Sequence, residues 1–179
     1  MAQNYKQSEG GILMPSNSIK VGGSFIGQII RDGKIIDEFE DHNLVVNEGL
    51  NHMLNVEFNG LTQVTTWYVG IFEGNYTPVA GVTAATIASA STESTAYTSA
   101  SRPEYVEATA TAQSITNSAS RASFVFNATK TIYGAFLVSS NVKSGTTGTL
   151  FSAARFAASK AVESGDELLL TYTFSAASV

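Results

Sequence analysis

The dipeptide Asp32-Gly33, set between two apolar stretches, narrows what this chain can become more than any other feature. Both central residues of a two-residue type I′ hairpin turn need φ > 0, and Asp-Gly meets that need at low cost. Ser24 to Glu40 therefore reads as a β-hairpin with its register set by the turn. Ile30 is expected opposite Ile35, Ile29 opposite Ile36, and Ile26 opposite Phe39. Apolar side chains fall on both faces near the turn, so two covers are expected, one the core and the other a partner. Arg31 and Lys34 flank the turn as like charges, which suits a solvated tip.

The rest of the chain extends the β reading. Thr65 to Phe72 is aromatic and β-branched, and Glu104 to Ala112 alternates. Ala122 to Phe126 alternates too, Thr131 to Val138 is a mostly apolar run, and Leu150 to Ala157 is a weaker strand. Glu167 to Phe174 is the best formed: Leu168, Leu170, Tyr172 and Phe174 point one way, Glu167, Thr171 and Thr173 the other. Ser164-Gly165-Asp166 supplies the turn before it. One helix is expected, Asn47 to Phe58, with Asn47 as N-cap, Glu48 at the positive end of the dipole, and Leu50, Met53, Leu54 and Phe58 on one face. Asn59-Gly60 stops it. Short strands with turn clusters and a single helix predict a mainly β fold, an antiparallel β-sandwich or jelly-roll-like domain.

Two segments stand apart. Residues 1–20 read as an extended N-terminal arm before a domain over 21–179. The arm is mostly polar and carries one apolar piece, Ile12-Leu13-Met14; it is either a docking arm or a frayed end. Ala80 to Ser101 is rich in Ala, Ser and Thr and long for a loop. It holds either an irregular strand around Thr95 to Thr98 or a projection ordered by a partner.

Composition bounds the function. Charged residues are 14%, against about 25% in typical soluble domains, and Ser, Thr, Ala and Gly fill the gap. Low charge favours a protein that lives assembled, or an ordinary β domain with a hydroxyl-rich surface. Net charge is -5 and the 10 Lys and Arg are scattered, so nucleic acid is an unexpected partner. No apolar run approaches the roughly 20 residues of a membrane helix, and no signal peptide is read at Met1 to Gly10. With 0 Cys there is neither a disulfide framework nor thiolate chemistry.

Catalytic and metal constellations are not legible, and neither an enzyme nor a cofactor is expected. His42 lies beside Asp41, but Gly22-Gly23-Ser24-Phe25-Ile26 lacks the second glycine of a nucleophile elbow. His42 and His52 are not spaced for zinc. Asp37, Glu38, Glu40 and Asp41 are acidic, yet Asp37 and Glu38 project to opposite faces of a strand, so a solvated strand end is the reading ahead of a calcium loop. Asn75-Tyr76-Thr77 and Asn127-Ala128-Thr129 match a glycosylation acceptor, which means little without a signal peptide. Trp67, Tyr68 and Phe72 read as core ahead of a sugar platform.

The stretch Asn43-Leu44-Val45-Val46-Asn47-Glu48-Gly49-Leu50-Asn51-His52-Met53-Leu54 leads into a strand reading Tyr68-Val69-Gly70-Ile71-Phe72. Downstream come Tyr97, Arg102-Pro103, Tyr133-Gly134-Ala135-Phe136 and Gly165-Asp166. This series resembles small tailed-bacteriophage virion structural proteins, in which an NLV-x-N-x-GL stretch precedes a short helix and a YVGLF-like strand. The resemblance covers about residues 24–174 and leaves the arm outside. It implies a capsid cement or decoration protein, or a minor tail component. Such a protein would be made in the host cytoplasm and carried in the virion. It would form a trimer and bind the major capsid protein or another virion protein. Ile12, Leu13, Met14, Phe25, Ile29 and Ile36 are the expected interface residues. The alternative is a tail, baseplate or receptor-binding (carbohydrate-binding) module.

Overall fold

The computed structural model describes residues 5–6, 14–15 and 18–178, with side chains from residue 18 onward. The elements in chain order are β1 (Tyr5–Lys6), β2 (Met14–Pro15), β3 (Ile19–Arg31), β4 (Lys34–His42), β5 (Leu44–Val45), α1 (Asn47–Phe58), β6 (Trp67–Phe72), α2 (Ala84–Ser91), β7 (Glu104–Tyr105), β8 (Ser114–Thr116), β9 (Ala122–Val125), β10 (Lys130–Val138), β11 (Leu150–Val162) and β12 (Glu167–Ser178). The protein is mainly β, with two antiparallel five-stranded sheets. One runs β5-β11-β10-β6-β7; the other runs β4-β3-β12-β8, with β9 also on β12. A single core cluster draws on both sheets: Phe25, Ile29, Leu168, Leu170 and Tyr172 from one, Val69, Ile71, Leu137, Phe151 and Phe156 from the other. That shared core makes the pair a sandwich. β1 and β2 pair with each other, Tyr5 opposite Pro15.

The hairpin turn forms as expected, with φ of 51° at Asp32 and 73° at Gly33. Its register holds for only one pair beyond the turn. Ile30 lies opposite Ile35, but then a bulge places Asp37 opposite Ile29 and Phe39 opposite Gly27. Ile36 is the extra residue, so the expected pairs Ile29–Ile36 and Ile26–Phe39 do not form. The reason is visible at Gly27, where a Cβ would sit 2.1 Å from the Phe39 ring. The bulge brings Phe39 over the bare glycine backbone, where it also packs 4.7 Å from Phe156. An aromatic ring covering a cross-strand glycine is a recognised way of pinning register.

The same device recurs twice in the other sheet. Phe136 lies opposite Gly70 and Phe72 opposite Gly134, each ring within 2.1 Å of where the glycine Cβ would stand. Phe72 and Phe136 face away from the shared core and found a second one with Val46, Val82, Ile87, Val138 and Leu150. The cover over this second core is the segment expected to be strand or projection. It holds a second helix, α2, so the expectation of one helix is corrected. Thr83 and Thr86 form a capping box at its start. The Thr95 to Thr98 stretch makes only an isolated bridge, Tyr97 to Phe126.

Helix α1 spans Asn47–Phe58 as expected, but Asn47 is not its cap. Val46 holds the N-cap position and no side chain caps it. Glu48 serves a longer reach: its Oε2 accepts the N–H of Ala84, the first of α2, at 2.8 Å and of Leu150 at 2.7 Å. Gly49 lets the helix lie directly on β11, since a Cβ there would meet the Phe151 carbonyl oxygen at 2.3 Å. Leu50 and Met53 pack on the core, whereas Leu54 and Phe58 are exposed, Phe58 by 81%. The expected four-residue apolar face is therefore half core and half surface.

Glu104 to Ala112 is a strand only over Glu104–Tyr105. β8, missed in the sequence, follows a tight turn in which Ala112 and Gln113 take φ of 49° and 59° without glycine.

Arg102 is fully buried and closes the α2 cover. Its Nε and Nη2 donate to the two carboxylate oxygens of Glu93 at 2.8 and 2.7 Å, and Nη1 donates to the Ser140 carbonyl at 2.8 Å. The guanidinium also lies 5.2 Å from the Phe136 ring centroid. Removing one member of a buried pair strands the other charge. Glu93→Gln is expected to cost about 3–5 kcal/mol, read as a lower urea midpoint. Adding Arg102→Leu to it should recover part of that loss.

Arg31, beside the hairpin turn, donates from Nε and Nη2 to buried Asp166 at 2.8 and 2.7 Å and pairs with Glu163 at 2.9 Å. The hydrogen bond from Arg31 is the first cause that holds the Asp166 carboxyl below its usual value. A carboxyl so depressed contributes stability above its unfolded pKa, about 3.9, and loses it as pH falls through the folded value. Asp166→Asn should therefore flatten the decline in melting temperature below about pH 4 while lowering stability at neutral pH.

Candidate functional site

The two sheets differ in what covers them. The β5-β11-β10-β6-β7 sheet is covered on both faces, by the shared core and by the α2 segment. The other sheet has Phe25, Ile29, Leu168, Leu170, Ala122 and Phe124 on its core face. Alternation sends Ile26, Gln28 and Ile30 of β3, Glu167, Leu169 and Thr171 of β12, and Ser123 and Val125 of β9 to the outer face. Among the described residues no helix lies on that face. Ile26 is 41% exposed and Val125 37%; Ile30 and Leu169 are half-buried.

Several polar groups on this face are paired with one another. Gln28 donates to Glu38 at 2.5 Å and accepts from Arg121; Ser123 donates to Glu167 at 2.5 Å. Glu40 lies opposite Ile26. The result is an apolar strip crossed by an ordered polar network, with acidic groups in excess. At one end the bulge leaves Ile35 and Ile36 side by side in solvent, 52% and 49% exposed. Arg31, clamped to Asp166 and Glu163, ties this tip to the β11–β12 turn. A sheet face of this kind, apolar with several of its polar groups already paired, can bind a complementary protein surface at little ordering cost.

The expected interface residues divide. Ile36 is exposed on the hairpin tip. Phe25 and Ile29 are buried in the chain's own core, 0% and 1% exposed, and Phe25 packs 4.7 Å from Tyr172. They cannot present a surface to a partner, so that expectation is corrected: apolarity on both hairpin faces was rightly read, but the outward residues are Ile26 and Ile30. Leu169 and Val125 were missed. The available signal was an apolar residue on the polar side of β12 and a valine between the core residues Phe124 and Phe126. Ile12 and Leu13 lie outside the described residues, and of Met14 only the backbone pairing is described.

The remaining candidates disperse. Asp41 Oδ1 accepts the Ala157 N–H at 2.8 Å across the sandwich edge, while His42, next along the strand, lines an open groove of about 530 Å³ with Ser24 and Asn43. The acid is thus turned away from the imidazole. Asp37 pairs with Lys160 at 2.9 Å and Glu38 binds Gln28, which spreads the acidic cluster over both faces. His52 packs edge-on 5.6 Å from Trp67. Trp67 lies on the core side of β6 and Phe72 on the outer side, so they form no common platform. Among the described residues no three His, Asp or Glu are grouped to hold a metal, and no helix is long and apolar enough to cross a membrane. No protein-family model matches this chain, and no curated protein matches it.

Proposed function

We propose that the protein is a non-enzymatic virion structural protein of a tailed bacteriophage, a capsid cement or decoration protein that binds the outer capsid surface. The observation that carries the reading is the uncovered outer face of the β3–β4–β12–β9 sheet together with the Ile35–Ile36 tip. Among the described residues nothing buries the apolar side chains of this face, which supports a protein-binding surface. Acidic Glu38, Glu40 and Glu167 around the strip fit a partner surface that presents apolar side chains ringed by Lys or Arg.

The phage assignment rests on the resemblance of residues 24–174; several of those motif residues lie in the scaffold, while Leu44, Asn47, Asn51 and Leu54 are exposed. Gly49 seats α1 on β11, Gly70 and Gly134 lie under phenylalanine rings, and Arg102 is the buried clamp. Asn43 donates to the Tyr172 hydroxyl at 2.9 Å. A shared series of scaffold positions is what related folds with divergent surfaces would keep. The alternative, a carbohydrate- or receptor-binding tail module, calls for exposed Trp67 or Tyr76 beside polar groups. Trp67 is half-buried, and Tyr76 packs edge-on 6.5 Å from Phe72.

The test combines mass and attachment. Light scattering of the purified protein, with and without residues 1–18, should give a trimer in both cases, with the arm needed only for attachment to a shell. Ile26→Lys, which faces Glu40 across the ladder, with Ile36→Lys should lower stability by no more than about 1 kcal/mol each and abolish co-sedimentation with capsids that lack the protein. A stable monomer whose attachment survives both substitutions would remove the reading.

A further inference from the structure

Strand β3 outruns its neighbour on one side. β12 accompanies it from Ile30, opposite Glu167, to Ile19, opposite Ser178. β4 accompanies it only as far as His42, opposite Ser24. There the chain leaves this sheet. The Asn43 N–H still donates to the Gly23 carbonyl at 3.0 Å, and Leu44–Val45 then pairs with β11 in the other sheet. Ile19 to Gly23 is left as a sheet edge, and among the described residues no strand lies along it. The open groove of about 530 Å³ lies against this edge, lined there by Lys20, Gly22, Ser24, Thr173, Ser175 and Ala177.

The hydrogen-bonding groups of this edge have a definite direction. In an antiparallel ladder alternate residues turn both N–H and C=O to the same side. Gly23 turns its carbonyl away from β12, to Asn43. Ala176, opposite Val21, sends its N–H away from β3, to the Gln113 carbonyl at 3.0 Å. Val21 and Ile19 therefore present their donors and acceptors outward along the edge. The Val21 side chain packs against the core. Gly22 belongs to the outer face, as Ile26 does, with nothing within 4 Å of where a Cβ would stand. An edge of this kind is a template for one more strand.

We infer that the strand which completes this edge is the chain's own β2, folded back on β3. β2 ends at Pro15 and β3 starts at Ile19. The three residues between them, Ser16-Asn17-Ser18, are turn formers, and three-residue hairpin loops are common. Such a loop sets the register. Pro15 comes opposite Ile19 and Met14 opposite Lys20; continuing upstream, Leu13 comes opposite Val21 and Ile12 opposite Gly22. Leu13 then falls on the core side beside Val21. Ile12 covers the bare Gly22, as Phe39 covers Gly27, and with Met14 it lies over the groove. Pro15, which has no N–H to give, takes the position next to the loop. β1 pairs with β2, Lys6 opposite Met14, so docking brings both strands to this edge. The arm of a second copy would have to displace a segment tethered three residues away, whose effective concentration is on the order of millimolar. The outer sheet face gains Ile12 and Met14 beside Ile26. The inference does not rest on the capsid reading, and its test uses the isolated protein.

With 0 Cys in the chain, introduced cysteines report the pairing without interference. Met14 and Lys20 form a non-hydrogen-bonded pair in this register, with Cα atoms about 4.5 Å apart and within disulfide reach. Met14→Cys with Lys20→Cys should therefore close an intrachain disulfide on mild oxidation. Met14→Cys with Val21→Cys, on opposite faces of the sheet, should stay reduced. In the unmodified full-length protein the Val21 N–H should be protected from hydrogen exchange. Leu13→Pro should speed that exchange about tenfold and leave the amides of Leu168 and Leu170 in β12 unchanged. An interchain disulfide would assign the edge to a second copy and overturn the inference. So would equal oxidation of the two cysteine pairs, a Val21 amide that exchanges at the unprotected rate, or a protection that Leu13→Pro leaves intact.

Discussion

A strand that is apolar on both faces must be covered twice, and β10 makes that demand of this chain. From Ile132 to Val138 every residue but Tyr133 is buried. Ile132, Ala135 and Leu137 go into the core shared by the two sheets, while Phe136 and Val138 go to the far side. Continuous apolar runs of this kind occur where a sheet is sheltered from water on both faces. The second shelter comes from the least promising part of the sequence, the Ala-, Ser- and Thr-rich stretch that folds into α2. Its hold on the sheet is polar as much as apolar. Glu48 binds the first N–H of α2, and the Arg102–Glu93 pair locks the chain that follows it. The small side chains of α2 allow close approach; the ion pair and Glu48 fix where that approach occurs.

This division of labour explains what could be read from the residues and what could not. The Asp32-Gly33 turn, the limits of α1 and the long alternation of β12 rest on local chemistry, and all three formed. The bulge at Ile36 is not local: it exists because Phe39 must reach Gly27 and Phe156 across the fold. Helix α2 carries few large apolar residues, so its sequence shows little of the periodicity that marks an amphipathic helix. Its stability comes from Ile87 and Ala84 packing in the cluster that holds Phe72 and Phe136, rings donated by distant strands. Leu54 and Phe58 show the converse error, since helical spacing put them on the face of Leu50 and Met53 and the chain nevertheless left them in water.

The outer sheet face was half legible. Apolar residues on both sides of the hairpin announced a second contact surface, yet spacing alone cannot say which side is the core. Phe25 and Ile29 were set on the wrong side of that choice. The decision is made by β12, whose Leu168, Leu170 and Tyr172 join them around a common centre and leave Ile26 and Ile30 looking outward. The cluster of Trp67, Tyr105, Phe151, Tyr172 and Phe174 was not legible at all. Its rings come from β6, β7, β11 and β12, and only the packed molecule brings them to one place.

The β3–β12 ladder runs without interruption from Ile30 opposite Glu167 to Ile19 opposite Ser178. Its two far ends therefore leave the sandwich at one corner, side by side. Tension between those ends would open the ladder like a zip, one backbone bond at a time, starting from Ile19 and Ser178. Tension that enters through one corner and leaves through the opposite sheet face would instead load many rungs together. The domain is thus stiff across its thickness and yields only where its two ends are drawn apart.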